Sequence, residues 1–262
     1  MILNKRFLLL CFISVTILSC GTQNEISSTS PDNELSTTDS TDVIEVSQDV
    51  EVMKEQIIDS LIHTVLLHNS SFELSLPIIK LNSNEKLKLR FDDFGEENRN
   101  ITYNIIKCNK DWERSSDNQM SYIEGYFYGQ ITNFEYSHNT LTGYTHYTVD
   151  FPKYENYKIT KSGNYILQVI DESEKVLLSK RFQVLEQLCD INPTVRKASD
   201  IMDADYRQEI DFEIITQQAI QNPIRNVTVH LYKNRNTEDA SKNLIPKFVD
   251  GNTLKYDYDN EN

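Results

Sequence analysis

Residues 101–152 decide the fold. Ile101–Trp112 reads ITYNIIKCNKDW, Gln119–Thr140 reads QMSYIEGYFYGQITNFEYSHNT, and Tyr144–Pro152 reads YTHYTVDFP. Ile101, Tyr103 and Ile105 alternate with Thr102 and Asn104. Phe134 and Tyr136 alternate with Asn133, Glu135 and Ser137, and Tyr147, Val149 and Phe151 with His146, Thr148 and Asp150. A period of two in β-branched and aromatic residues marks strands with one buried face. Between the strands run Trp112, the single tryptophan, and the cluster Tyr126, Phe127, Tyr128.

Working outward, the same pattern continues on both sides. Val65–His68 and Phe72–Ile79 read as strands, the second with Phe72, Leu74, Leu76 and Ile78 on one face. Leu87, Leu89 and Phe91 alternate with Lys86, Lys88 and Arg90, as expected for an antiparallel sheet with one wet face. After the loop Lys153–Lys161, the run Lys161-Ser162-Gly163-Asn164-Tyr165 partly matches the tyrosine corner of immunoglobulin-like sandwiches. That match has Tyr165, Leu167 and Val169 facing the core and the Tyr165 hydroxyl bonding back to the backbone. Asp171–Glu174 reads as a hairpin connection to a strand carrying Leu178, Phe182 and Val184. Beyond Leu185–Asn192, a second run of strands is expected at 194–197, 209–216, 226–233, and around Phe248 and Tyr256.

The beginning of the chain differs in kind. Lys5 and Arg6 precede an apolar run, Phe7–Leu18, that is short for a bilayer span and ends in Leu18-Ser19-Cys20-Gly21. This reads as a lipoprotein leader, residues 1–19, with Cys20 as the acylated residue after cleavage. Removing it takes two positive charges and no acids, so the formal net charge goes from −14 to −16. From Gly21 to about residue 55 Ser, Thr, Asp, Asn and Glu dominate, and no Lys or Arg occurs between Arg6 and Lys54. Such a segment buries too little apolar surface to order itself, so residues 20–62 read as an extended acidic tether. Val46, Val50, Met53, Ile57 and Leu61 recur at helical spacing within its second half.

The resulting organisation is all-β: leader 1–19, disordered acidic tether 20–62, an immunoglobulin-like sandwich at 63–187, and a second, incomplete β domain at 190–262. Strong acidity argues against nucleic acid. The five histidines, His63, His68, His138, His146 and His230, have no metal-site spacing, and His63 and His68 are expected on opposite faces of a strand. The acidic loop Asp92–Glu97 lacks the ligand order of a calcium loop, and Asp257, Asp259 and Glu261 read as a solvated end. Cys108 and Cys189 read as separate thiols. No nucleophile elbow, phosphate loop or dinucleotide fingerprint occurs, and seven glycines leave little material for one. The expectation is a protein that is not an enzyme, with no cofactor, metal or small-molecule substrate. Trp112, Tyr126, Phe127 and Tyr128 are the candidate partner-binding residues, because aromatics on an exposed β face anchor protein interfaces or stack on sugars.

The chain also resembles the plug protein family of the type IX secretion system. The resemblance rests on Glu73–Ile79, Arg90–Asp93, Cys108-Asn109-Lys110-Asp111-Trp112, Tyr122–Phe127, Ile131–Ser137 and Tyr144–Tyr147. It continues through Ser162–Tyr165, Arg181-Phe182 and Gln208–Phe212 to Tyr256–Asp259. It implies a non-enzymatic accessory subunit, lipid-anchored on the periplasmic side of the outer membrane. Such a subunit plugs the periplasmic end of a large outer-membrane barrel translocon. It also implies further strands beyond Asn262. A glycan-binding lipoprotein using exposed aromatics is the alternative.

Overall fold

The structure is a computed structural model. It describes residues 52–95, 99–126, 128–152, 157–199, 202, 205, 207–233 and 236–257, together with the backbone of one strand, β1 (Phe12–Ile17). Cys20, Phe127 and most of the tether lie outside the described residues. The chain divides into two units, one comprising Asp49–Gln187 and the other Met1–Gln48 with Leu188–Asn262.

The first unit is a sandwich of two sheets. Its strands are β2 (Gln56–Ile57), β3 (Ile62–Asn69), β4 (Ile78–Lys80), β5 (Leu87–Asp93), β6 (Thr102–Cys108), β7 (Ile123–Glu124) and β8 (Tyr128–Gln130). They continue with β9 (Phe134–Tyr136), β10 (Thr145–Phe151), β11 (Lys158–Ile159), β12 (Gly163–Ile170) and β13 (Val176–Leu185). One sheet has the order β3-β5-β10-β9; the other runs β2-β13-β12-β6-β8, with β4 added in parallel to β13. β11 and β7 form a small separate ladder.

The alternation read from the sequence is the alternation of burial. Along β5 and β10 every second residue is buried, with Leu87, Leu89 and Phe91 opposite Phe151, Val149 and Tyr147. From the other sheet, Tyr103, Ile105, Tyr165, Leu167, Val169 and Phe182 meet them in one core. Aromatic rings form the seam: Phe151 lies 5.7 Å from Tyr103 and 5.5 Å from Phe182, centroid to centroid. The Tyr165 hydroxyl donates to the Lys161 carbonyl at 2.7 Å, the backward bond of a tyrosine corner. Fully burying such rings supplies roughly 2–3 kcal/mol each, the main term holding the sheets together.

Four local expectations are corrected. Phe72–Leu76 is not a strand: Phe72 and Leu74 are 59% and 71% exposed. Asn69 and Ser75 fold the segment into turns instead, the Asn69 carbonyl accepting from Phe72 N–H and the Ser75 hydroxyl from Asn69 N–H. Residues 52–61 are neither tether nor helix; their backbone follows the sheet through β2. His63 and His68 do not fall on opposite faces. An extra residue at Thr64 (φ 52°) bulges β3, so the two histidines pair with Asp92 and Lys88, both outward positions of β5. The loop expected at 153–161 contains β11 and a buried Tyr157.

The second unit holds β14 (Cys189–Lys197), β15 (Gln208–Thr216), α1 (Pro223–Asn226), β16 (Val227–Lys233), β17 (Asn236–Leu244), β18 (Phe248–Asp250) and β19 (Thr253–Tyr256). One sheet runs β14-β15-β19-β18 and the other β1-β16-β17. β1, from the stretch read as leader, lies antiparallel on β16, from Phe12 opposite Tyr232 to Ile17 opposite Val227. The core is small: Phe212, Ile214, Val227, Val229, Leu254 and Tyr256, with Phe212 and Tyr256 stacked at 4.5 Å.

Candidate partner-binding surface

The Trp112 loop is built by an asparagine. The Asn109 side-chain oxygen accepts from the N–H groups of Asp111 at 2.9 Å and Glu113 at 3.0 Å. The turn this closes puts Trp112 in the left-handed region, φ 65°, which a non-glycine residue occupies only at a cost of about 1–2 kcal/mol. The ring lands half-buried on the outer face of the six-stranded sheet, against Met53, Ile106, Cys108 and Ile166. The Arg181 guanidinium carbon stands 4.5 Å from its centroid. Trp112 is thus engaged within its own unit.

Tyr126 and Tyr128 are free of such cover, at 67% and 64% exposed. Tyr128 is opposite Asn104 on β6, so it projects from the outer face, and Gly129 is opposite Tyr103 on the core side. Gly129 is there because of that ring: a Cβ would come within 2.4 Å of it. Sequence reading did not single out two further aromatics. Phe134 and Tyr136 lie on the edge strand β9, 39% and 48% exposed, with ring centroids 5.5 Å apart. Phe134 also reaches Tyr147 at 5.8 Å, so an aromatic row runs from the core to the sheet edge. Alternation put both on one face; what it could not tell is that, among the described residues, β9 has a neighbour on one side only.

Beside Phe134, on the wet face of the four-stranded sheet, is a groove of about 260 Å³. Lys88, Arg90, Asn133, Glu135, His146 and Thr148 line it. Its lysine and arginine are paired, Arg90 with Glu73 and Lys88 with Asp150 at 3.9 Å, and His146 Nδ1 lies 2.6 Å from Asp92. The groove is lined mostly by polar and charged side chains.

Among the described residues one group of three carboxylates, Glu209, Asp211 and Asp257, comes within 4.8 Å. Arg196 already sits among them, 2.9 Å from Glu209, 2.8 Å from Asp211 and 3.9 Å from Asp257. Burial, with Asp257 and Glu209 nearby, raises the Asp211 pKa against the pull of Arg196. The cluster is an arginine-centred ion network. Cys108 is buried and Cys189 half-buried, and both thiols are free. Burial pushes Cys108 up to about 11, so it is not a nucleophile at neutral pH.

What the geometry defines is a β-sandwich scaffold with aromatic side chains displayed at the edges of both of its sheets. Residues 62–186, a little under half of the chain, match the model of the type 9 secretion system plug protein 1st domain, so this sandwich is similar to that domain. A crystal structure of a hypothetical protein from Parabacteroides merdae ATCC 43184 is similar in fold, with a TM-score of 0.73 and 25% identity. That similarity covers 78% of this chain and 52% of the other, so the chain spans about half the length of that protein. The Pseudomonas fluorescens alkylpurine DNA glycosylase AlkC bound to DNA containing an abasic site analog aligns at a TM-score of 0.28 and 11% identity, over 48% of this chain and 30% of that one. That value carries no structural argument. No curated protein matches the sequence. Among the described residues no helix is long and apolar enough to cross a membrane, which leaves strand-built spans unaddressed.

Proposed function

We propose that this protein is a non-enzymatic subunit that closes the periplasmic end of an outer-membrane translocon barrel in type 9 secretion, held to the membrane through acylated Cys20. The observation that carries this reading is the match of residues 62–186 to the plug first domain. A stopper needs loops and edges fixed by a rigid scaffold, and a sandwich with an aromatic seam is one. Tyr126, Tyr128, Phe134 and Tyr136 are the contact residues this reading favours, with Phe127 beside them in sequence. Contact through a few aromatics in a polar surround suits an interface that must also release. The acidic stretch after Cys20 would keep the stopper near the pore while letting it swing aside.

The test is purification through a tag on this protein and identification of what accompanies it. A very large outer-membrane barrel is expected, lost when Tyr126 and Tyr128 are both changed to Ser. Deletion should admit bulky antibiotics only in cells that retain the barrel. The paired charges, Asn133 and Thr148 beside Phe134 would also suit sugar hydroxyls. Retention on immobilised polysaccharide without any barrel would favour the glycan-binding reading.

A further inference from the structure

The family-matched sandwich begins at residue 62, yet the segment before it is fastened to the sheet at two ends. At the first, Met53 is 6% exposed and packs on Ile106, Cys108 and Ile166. These residues face outward, so Ile166 is fully buried only because Met53 and Trp112 cover it. The backbone there is held as closely: Met53 N–H donates to the Trp112 carbonyl at 2.8 Å. Arg181 donates twice to the Met53 carbonyl, at 2.6 and 3.2 Å, and the Ser179 hydroxyl once to the Lys54 carbonyl at 2.6 Å. Lys180 pairs with Glu55, and Gln56 and Ile57 add a short antiparallel strand to β13.

At the second end, the N–H groups of Ile58 and Asp59 both donate to the Leu177 carbonyl, each at 2.9 Å. The buried Asp59 carboxylate accepts from Leu61 N–H at 2.9 Å, Lys175 at 3.2 Å and Arg99 at 3.4 Å.

We propose that residues 52–61 form a strap that fixes where the membrane tether leaves the sandwich, with Trp112 and Arg181 as its keepers. The membrane end of this proposal rests on the tethering reading above; the strap itself does not. A pull on the tether would first meet Val52, at the Met53 socket, and not the start of β3. Releasing the strap would add about ten residues, up to about 35 Å of contour. The left-handed backbone at Trp112 also gains a purpose. It turns the indole over Met53 and aims the carbonyl at the Met53 N–H.

The test uses the full chain carrying Cys20→Ala, so that the strap is read without lipid and failure of anchoring cannot be mistaken for failure of the strap. Hydrogen exchange is followed at residues 53–59 and, as the core reference, at β12. Acrylamide quenching of the single tryptophan gives a second signal. Against this background the strap amides should exchange at least about 100-fold slower than free peptide, and Trp112 should be poorly quenched. Met53→Asp, and separately Arg181→Gln, should free the strap amides and raise quenching while β12 keeps its protection. Free-peptide exchange at 53–59 in the unaltered strap would overturn the proposal. So would unchanged strap protection in both variants, or β12 opening together with the strap, which would make the segment part of the core. Cell fractionation of chains with and without Cys20→Ala reports on the anchor separately.

Discussion

Phe151 of one sheet stands edge-on to Phe182 of the other, centroids 5.5 Å apart and ring planes 76° to each other. That contact joins the two layers of the first unit. Phe151→Ala should cost about 3–5 kcal/mol, since both rings are buried and the neighbours cannot collapse around the loss. Thr148→Ala, three residues back on the outward face of β10, should cost less than about 0.5 kcal/mol. Urea unfolding of both variants checks this; similar costs would mean that β10 faces the other way.

Two glycines should respond oppositely to the same change. Gly129→Ala drives a methyl against the Tyr103 ring, and that ring is locked in the core, so a loss of about 1–3 kcal/mol is expected. A Cβ at Gly143 would meet nothing within 4 Å beyond its own chain neighbours. Its replacement by Ala should be neutral or stabilise by up to about 1 kcal/mol through the unfolded chain. Thermal melts of the pair decide it.

Asp59 sets an acid limb on stability. Its folded pKa lies below the ordinary 3.8, first because Leu61 N–H binds the carboxylate, then because of Lys175 and Arg99, with burial opposing. A depressed carboxylate pKa stabilises the fold at pH values above about 4. That contribution disappears as the pH falls through the lower, folded value. Asp59→Asn should therefore lower stability by about 1 kcal/mol at pH 7 and lose less between pH 4 and 2 than the parent does. Denaturant titrations at a series of pH values measure the difference. Parallel curves would show that Asp59 is not the group.

Neither cysteine of the folded units should be reactive. Cys108 is raised to about 11 by burial, and Cys189 is raised by burial and by Asp190. Native protein at pH 7.5 should take up iodoacetamide at these two positions far more slowly than protein in denaturant, as mass spectrometry of the labelled peptides would show. Fast native labelling of Cys108 would mean that the Met53 and Trp112 cover opens readily.

The sandwich was legible where a strand has one dry face. β5, β10 and β12 satisfy that condition, and Leu89, Val149 and Leu167 are all buried as their alternation requires. Reading failed where position depends on a side-chain-built turn or on distant partners. Phe72 and Leu74 alternate like a strand, but Asn69 and Ser75 turn the chain back locally. Met53, Ile57 and Leu61 have helical spacing, yet the acceptors and donors of β13 hold that segment extended. β17, Asn236–Leu244, has no alternating pattern and is a strand only through its ladder with β16.

Of the candidate surface, sequence could single out the aromatics but not their surroundings: Tyr126 and Tyr128 are exposed, whereas Trp112 packs against Met53 and Arg181, which lie far from it in sequence. Phe134 and Tyr136 could not be told from core residues, because an edge strand and a central strand share one pattern.

Pro193 lies in the middle of β14, the outermost strand of its sheet among the described residues, opposite Phe212. A free strand edge invites copies of a chain to zip together backbone to backbone, and a proline interrupts the row of N–H donors that such zipping needs. Copies brought close together can therefore touch along β14 without polymerising through it.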